Sequence, residues 1–218
     1  MNKQLTVILS GVALLVVFFF AAKSYDQERA EEVQEMAQEQ SPTLVPDHAM
    51  TYGAEDGRVV LVEFFDPACE TCRVFHHPVK ELVDAHPGKI KLVFRYAPFH
   101  HGSEDVVKLL EAARLQGQYF EALDLMFETQ PRWASHHDPR PDLLWTFLPT
   151  LGLDMEQLAK DVQSPEIEAL VQQDLADLQI LHVRKTPSYF VNGKPLETFG
   201  YDPLVALVES ELAVQYPE

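Results

Sequence analysis

The feature that most limits the possible folds of this chain is an apolar run, typical of a buried strand, followed closely by two cysteines. Residues 59–65 read VVLVEFF, and every residue in the run except Glu63 is β-branched, aromatic or leucine. Cys69 and Cys72 follow, and they are the only cysteines in the sequence. A helix that begins at Cys69 presents unpaired N–H groups and a partial positive charge, which stabilise a thiolate. The pattern therefore indicates a dithiol that can close into a disulfide and reopen.

Two other interpretations of the cysteine pair are open from spacing alone. A purely structural disulfide would close a very short loop, so it would restrict the unfolded chain little. A zinc site usually needs a second pair of ligands at a defined spacing. The spacing favours redox chemistry over both.

The charge balance excludes one class of partner. The 218 residues include 34 acidic and 17 basic side chains, for a formal net charge of −17 and a pI near 4.8. So acidic a chain repels nucleic acid and anionic lipid headgroups. We therefore expect no nucleic-acid partner, and the length suits one globular domain with an appendage.

The first residues predict a membrane anchor, assigned to residues 1–23. Leu5 to Ala22 carries no charge and is long enough to span a bilayer as a helix. A cleaved signal peptide needs small residues before the cut, but Phe19 and Phe20 stand there, so an uncleaved signal-anchor is expected. The expected location is the inner (cytoplasmic) membrane of a bacterium, with the rest of the chain in the periplasm, where disulfides persist.

A helical stalk and linker are predicted at 24–49, ahead of a globular domain at 50–218. Residues 24–40 are rich in helix-forming side chains and contain no Gly or Pro, whereas Pro42 and Pro46 break the pattern. The stalk is interpreted as a solvated spacer. The alternative is a short coiled-coil seam that would make the protein an oligomer.

In the globular domain, the residue pattern predicts a βαβ unit, then a helical block, then a ββα unit. The first unit has strands at 59–65 and 89–96 around a helix at about 69–85, and the helical block covers about 103–181 with a Pro-rich interruption at 130–141. The last unit has a strand at 188–191, a turn at Asn192–Gly193, a partner strand at 196–199 and a helix capped by Asp202–Pro203.

Three separated stretches resemble the DsbA-like branch of the thioredoxin superfamily. They are VEFFDPACETCR at 62–73, RYAPFHH at 95–101 and TPSYFVNGKPL at 186–196. The resemblance covers the chain from about residue 50 onward and implies an α/β thioredoxin fold with an inserted helical domain. It also implies a thiol–disulfide oxidoreductase that needs no cofactor, because the dithiol itself carries two electrons.

The resemblance assigns roles to four residues. Cys69 matches the exposed nucleophilic cysteine of the family, and Cys72 matches its buried resolving cysteine. Pro187 matches the cis-proline beside the active site, along which a substrate backbone can pair. Thr186 matches the position that faces the cysteine sulfurs and tunes them.

Glu63 is a further candidate, because it lies six residues before Cys69, where thioredoxin-like proteins carry a buried acid. Desolvation at that depth should raise its pKa. Glu63 could then accept the proton of Cys72 when the disulfide must be released. The alternative is a glutamate at the edge of the core without kinetic importance.

The chain departs from the strongly oxidising relatives between the cysteines. Those relatives carry proline and histidine there, whereas this chain carries Glu70 and Thr71. A carboxylate near Cys69 disfavours the thiolate and raises the cysteine pKa. We therefore expect Cys69 to be less acidic than in strong oxidants, and the protein to be a weaker oxidant.

A metal site is the alternative from another class. His76 lies four residues after Cys72, one helical turn away on the same face. With Cys69 it would complete a thiolate and imidazole set for a soft metal such as Cu(I). The other interpretation is that this histidine is a surface residue or shapes the electrostatics of the dithiol.

The sequence thus predicts a membrane-anchored periplasmic enzyme that exchanges disulfides with protein substrates. A membrane redox partner is expected to restore the redox state of its dithiol. A disulfide isomerase or reductase of the same fold is the first alternative. A copper chaperone or metal-resistance protein is the second, and a tethered binding module without catalysis is the third.

Overall fold

One mixed sheet of five strands forms the centre of the molecule. The computed structural model describes residues 43–134 and 139–217, and its strands lie in the order β1-β3-β2-β4-β5. The strands are β1 (Met50–Gly53), β2 (Val59–Phe65), β3 (Ile90–Tyr96), β4 (Ser188–Val191) and β5 (Lys194–Pro195). β1 was not predicted; it pairs antiparallel with β3 and extends the sheet by one strand.

The central strand β2 explains the apolar run that precedes the cysteines. β2 pairs in parallel with β3 and antiparallel with β4, and six of its seven residues are buried. A strand covered on both faces reads as a continuous apolar run. The register places Glu63 opposite Phe94 on one side and opposite Tyr189 on the other.

Seven α-helices are described around the sheet. They are α1 (Glu70–Asp84), α2 (Ser103–Leu115), α3 (Tyr119–Trp133), α4 (Leu144–Phe147), α5 (Met155–Asp161), α6 (Pro165–Ile180) and α7 (Tyr201–Gln215), with 3-10 turns at Pro141–Leu143 and Leu148–Leu151. Helices α2 to α6 lie between β3 and β4 in the chain, which confirms the predicted helical insert. Side chains cap α5, where the Asp154 carboxylate accepts two backbone N–H groups, and α6, where the Ser164 hydroxyl accepts one ahead of Pro165.

The two faces of the sheet bury separate apolar clusters. The larger cluster joins Leu61, Phe65 and Phe94 to helices α1, α2, α3 and α7. The smaller cluster lies on the opposite face and contains Phe64, Val93 and the end of α6. Because side chains alternate along a strand, neighbouring residues of β2 and β3 serve different clusters.

Two predictions about the last unit are wrong. The partner strand is Lys194–Pro195 rather than 196–199, because Asn192 and Gly193 both have positive φ (47° and 80°) and form a two-residue turn that places Lys194 directly opposite Val191. The last helix begins at Tyr201 after Gly200, so Asp202 lies within its first turn rather than capping it. There its carboxylate complements the helix dipole.

The predicted anchor at 1–23 and residues 24–42 of the predicted stalk and linker lie outside the described residues. Of the helices within 43–134 and 139–217, none is both long enough and apolar enough to cross a membrane.

Candidate active site

The two cysteines occupy the start of α1, at the edge of the sheet where β2 ends. Cys69 is the N-cap residue of the helix, in extended conformation, and Cys72 lies in the first turn. The backbone N–H of Cys72 donates to Cys69 Sγ at 3.4 Å. Both residues are free thiols. The sequence therefore positions the first sulfur where unpaired helix N–H groups converge.

The environment of Cys69 favours its thiolate. A hydrogen bond with the Cys72 side chain is the largest cause that lowers the pKa of Cys69, to about 5. Burial opposes the shift, while Thr186 and the backbone N–H groups of Cys72 and Thr71 add to it. Cys69 is therefore ionised at neutral pH, and a thiolate is the reactive form of cysteine.

Cys72 has the opposite character. Its side chain is fully buried, and desolvation raises its pKa well above the ordinary value. The neighbouring Cys69 and the charge of Glu63 raise it further. Cys72 thus keeps its proton at neutral pH until another group removes it.

The loop before β4 covers the sulfur of Cys69. The Thr186–Pro187 peptide bond is cis, which confirms the expectation for Pro187. In its protonated form the Cys69 thiol donates to the carbonyl oxygen of Thr186 at 3.5 Å, and a hydrogen bond with the Thr186 side chain lowers the pKa of Cys69, so Thr186 faces the sulfur. This cover corrects one expectation: Cys69 is only 7% exposed and is not an open surface thiol, although it is more accessible than Cys72.

Glu63 lies beneath the dithiol, inside the sheet. It is 2% exposed, and desolvation raises its pKa to about 7, with the charge of Cys69 adding to the rise. The hydroxyl of Tyr189 donates to Glu63 Oε1 at 3.0 Å and opposes this shift. The predicted raised pKa is confirmed, while the role of Glu63 as proton acceptor stays a prediction.

Asp66 is a buried residue of the site that the sequence analysis did not identify. Its backbone N–H donates to Cys72 Sγ at 3.5 Å. Its carboxylate accepts from the N–H of Ala68 at 2.8 Å, from the hydroxyl of Ser103 at 2.6 Å and from the N–H of His100 at 2.9 Å. The signal available in sequence was an aspartate between the buried strand and the cysteines, but its partners lie on another loop and on α2.

Gln130 was also missed, and it links the helical insert to the cysteine loop. Its amide nitrogen donates to the carbonyl oxygens of Pro67 at 2.8 Å and Cys69 at 3.0 Å. Its amide oxygen accepts from Arg73 Nε at 2.9 Å. Because Gln130 lies 61 residues from Cys69, no local pattern indicates this contact.

The predicted alternative metal set of Cys69, Cys72 and His76 is not brought together. The imidazole of His76 is buried and its Nε2 lies 2.6 Å from Asp124 Oδ1. Within the part of the chain that the structure describes, no three His, Cys, Asp or Glu side chains gather closely enough to hold a metal ion. His76 instead packs on Phe127, with ring centroids 4.9 Å apart.

An apolar groove of about 380 Å³ lies beside the cis-proline. The loop before Pro187 and the β4–β5 hairpin form its walls, with Leu181, Val183, Phe190, Leu196 and Phe199 among the lining residues. The ring of Phe199 is 42% exposed and stacks at 5.0 Å on Phe75 of α1. The groove reaches Pro187, which follows the residue whose carbonyl oxygen lies 3.5 Å from Cys69 Sγ.

A thioredoxin fold with an activated thiolate above a buried partner thiol defines a class of redox dithiol proteins. The family described as Thioredoxin matches residues 45–210. The chain belongs to the thioredoxin family, and it shares the fold of DsbA-like proteins.

Individual relatives agree with this placement. A thioredoxin-like oxidoreductase from Silicibacter pomeroyi is 29% identical, with a TM-score of 0.68 over 79% of this chain and 97% of that one. A probable disulfide bond formation protein D from Bacillus anthracis is 28% identical over 97% of both chains.

Some curated relatives are much longer. A Na(+)/H(+) antiporter NhaA from Herminiimonas arsenicoxydans is 29% identical over 90% of this chain but only 31% of its own length. The chain thus spans about a third of that relative.

Proposed function

We propose that this protein exchanges disulfides with protein substrates through Cys69 and Cys72. The observation that carries the proposal is the asymmetry of the two thiols. The pKa of Cys69 is lowered to about 5, whereas the pKa of Cys72 is raised by burial. The Cys69 sulfur is therefore a nucleophile and a leaving group at neutral pH, whereas Cys72 stays protonated until the mixed disulfide must be resolved.

The chemistry balances in both directions. In oxidation, a substrate thiolate attacks Cys69 Sγ of the disulfide, the Cys69–Cys72 bond breaks, and Cys72 leaves as a thiolate that takes up a proton. A second substrate thiolate then attacks the mixed disulfide, and the Cys69 thiolate leaves. In reduction, the Cys69 thiolate attacks a substrate disulfide, and deprotonated Cys72 displaces the substrate thiolate from Cys69.

The apolar groove beside Pro187 is the proposed place for the substrate chain. An extended segment there would pass the Thr186 carbonyl, which lies next to Cys69 Sγ. Apolar lining favours unfolded or partly folded proteins, whose hydrophobic side chains are exposed. The chemistry at the sulfurs needs no further cofactor.

The location of the enzyme is a separate proposal. We infer from residues 5–22 that the chain is anchored in the inner membrane with its dithiol in the periplasm, where a membrane redox partner resets it. The protein should then stay in the membrane pellet after an alkaline carbonate wash. Release into the supernatant would contradict the anchor without touching the chemistry.

The decisive experiment is the reduction potential of the Cys69–Cys72 pair, equilibrated against glutathione buffers. Strong oxidants of this superfamily have a cysteine pKa of roughly 3.5 and thioredoxin roughly 7, with potentials of roughly −120 and −270 mV. A pKa near 5 predicts a potential between those limits. The weaker oxidising power expected from Glu70 stays a prediction. A dithiol that fails to equilibrate with glutathione would contradict the proposed function.

Variants identify the role of each sulfur. Cys72→Ser should accumulate a mixed disulfide with the substrate, because the resolving thiol is missing. Cys69→Ser should form none, since Cys72 is fully buried. Thiolate absorbance in the Cys72→Ser variant reads Cys69 alone. In Cys72→Ala the midpoint should lie above that of the wild type, because alanine cannot make the hydrogen bond that the Cys72 side chain makes with the Cys69 sulfur.

A further inference from the structure

Tyr189 connects the cis-proline loop to the buried acid. It lies in β4, two residues after Pro187, and its side chain is 2% exposed. Its hydroxyl donates to Glu63 Oε1 at 3.0 Å across the antiparallel pair. The ring packs on Phe75 of α1 with centroids 6.2 Å apart, so both ends of the side chain are held.

The other groups around Glu63 show why the Tyr189 hydroxyl matters for this carboxylate. The residue opposite on β3 is Phe94, which offers no polar group. The titratable groups that act on the Glu63–Tyr189 pair are Cys69 and Cys72 of α1. Within residues 43–134 and 139–217, the structure records no salt bridge to Glu63 from a lysine, arginine or histidine. Among these described residues, the Glu63 carboxylate is therefore bound by the neutral hydroxyl of Tyr189 and not by a cationic side chain.

We propose that Tyr189 is a positioning residue for proton exchange between Cys72 and Glu63: its hydroxyl fixes one carboxylate oxygen and leaves Oε2 to take the thiol proton. This inference rests on the proposed function and deepens it. When the mixed disulfide is resolved, the proton of Cys72 passes to the Glu63 carboxylate. The Cys72 thiolate then bonds to Cys69 Sγ, and the substrate sulfur leaves as a thiolate. In the oxidising direction, protonated Glu63 returns that proton to Cys72.

The hydrogen bond also sets the pH at which the exchange works. A hydroxyl that donates to a carboxylate favours the ionised form, which is the form that accepts a proton. Without it, Glu63 stays protonated to higher pH and cannot deprotonate Cys72 in the neutral range. The rate of the resolving step, rather than the fold, should therefore report the loss of the hydroxyl.

The test is Tyr189→Phe in the full chain, measured as the single-turnover rate of mixed-disulfide resolution across pH. We expect the acid limb of the profile to move up by about one pH unit, so that the rate near pH 6 falls by up to about tenfold and recovers at pH 9. Tyr96→Phe is the matched control. Tyr96 is a buried tyrosine that donates to the carboxylate of Glu111, and neither residue is among the groups that shift the pKa of Glu63 or Cys72, so its loss should leave the limb in place.

A second readout does not depend on activity. Difference infrared titration follows the carboxyl band of protonated Glu63, identified as the band missing in Glu63→Gln. The pH at which this band disappears should rise in Tyr189→Phe and stay unchanged in Tyr96→Phe. If wild type exchanges no disulfides while the band still shifts, the proposed function fails and the contact between Tyr189 and Glu63 stands.

Two results would overturn the inference. One is a folded Tyr189→Phe protein with an unchanged acid limb, and the other is an equal shift in Tyr96→Phe. If Tyr189→Phe does not fold, replacing Tyr189 alone with a fluorinated tyrosine keeps the ring and strengthens the donor. The acid limb and the band should then move to lower pH, and an unmoved limb and band would overturn the inference in the same way.

Discussion

The two faces of the sheet bury charge in opposite ways. On one face, Arg95 of β3 is fully buried, and its guanidinium pairs with Asp174 at 2.8 Å and with Asp177 at 2.6 Å. It also donates to the backbone carbonyls of Thr43 and Leu44. On the other face, Glu63 of β2 has only the neutral hydroxyl of Tyr189 as a recorded side-chain donor.

The difference in pairing distinguishes the structural site at Arg95 from the proposed catalytic site at Glu63. A buried charge is costly unless it is paired, and around Arg95 every charge has a partner of opposite sign. Glu63 lacks such a partner among the described residues, and desolvation raises its pKa to about 7. A carboxyl group that titrates near neutral pH can both accept and return a proton, which a fully paired carboxylate does poorly.

Removing the cation from the paired face should have the largest effect on stability. Arg95→Met would remove the guanidinium that pairs with Asp174 and Asp177 and leave His48 beside Asp174, at a cost of about 3–5 kcal/mol in the free energy of unfolding. Urea unfolding at pH 7 measures the loss. The reduction potential of the folded fraction should not change, because the guanidinium and the cysteines lie on opposite faces. A shifted potential would mean that the two regions are coupled.

Removing the unpaired acid should act with the opposite sign. Folding raises the pKa of Glu63 from 4.5 to about 7, so the folded protein holds this proton more tightly than the unfolded chain. The associated stability is complete below pH 4.5 and is lost as pH rises through 7, a difference of about 3 kcal/mol. Glu63→Gln should therefore stabilise the reduced protein by up to about 3 kcal/mol at pH 8 and change little at pH 4.

The same variant should be slower as an enzyme. Loss of the proton acceptor is expected to slow deprotonation of Cys72 by about 10²-fold. Asp174→Asn is the matched control on the paired face: it should lower stability and leave the rate unchanged. Equal rates in wild type and Glu63→Gln would show that the acid has no kinetic role.

The smallest effect is expected where neutral groups hold the cysteine loop. Gln130→Leu removes two hydrogen bonds to the carbonyls of Pro67 and Cys69, at a cost of about 1–3 kcal/mol. Thermal unfolding measures this loss, and the reduction potential should shift because the carbonyl of Cys69 is released. If Gln130→Leu lost as much unfolding free energy as Arg95→Met, neutral hydrogen bonds would stabilise the fold as much as the buried ion pairs do.

Much of the fold could be predicted because its signals are local. The strands at 59–65 and 188–191, the helix after Cys69 and the helical insert all follow from side-chain periodicity and breaker residues within short windows. The strand predicted at 196–199 was wrong because the turn at Asn192–Gly193 determines the register, and β5 ends after two residues. The membrane anchor and the stalk stay predictions.

The sequence by itself determined two thiols at the start of a helix and an acid in the strand before them, and the family resemblance implied a proline beside the thiols. Tertiary structure alone decided which groups control that acid and that loop. Tyr189 lies 126 residues from Glu63, and Gln130 lies 61 residues from Cys69. The physical reason is range. Helix caps and strand alternation act between neighbours in the chain, whereas desolvation and buried hydrogen bonds depend on which distant segments the sheet and the insert bring together.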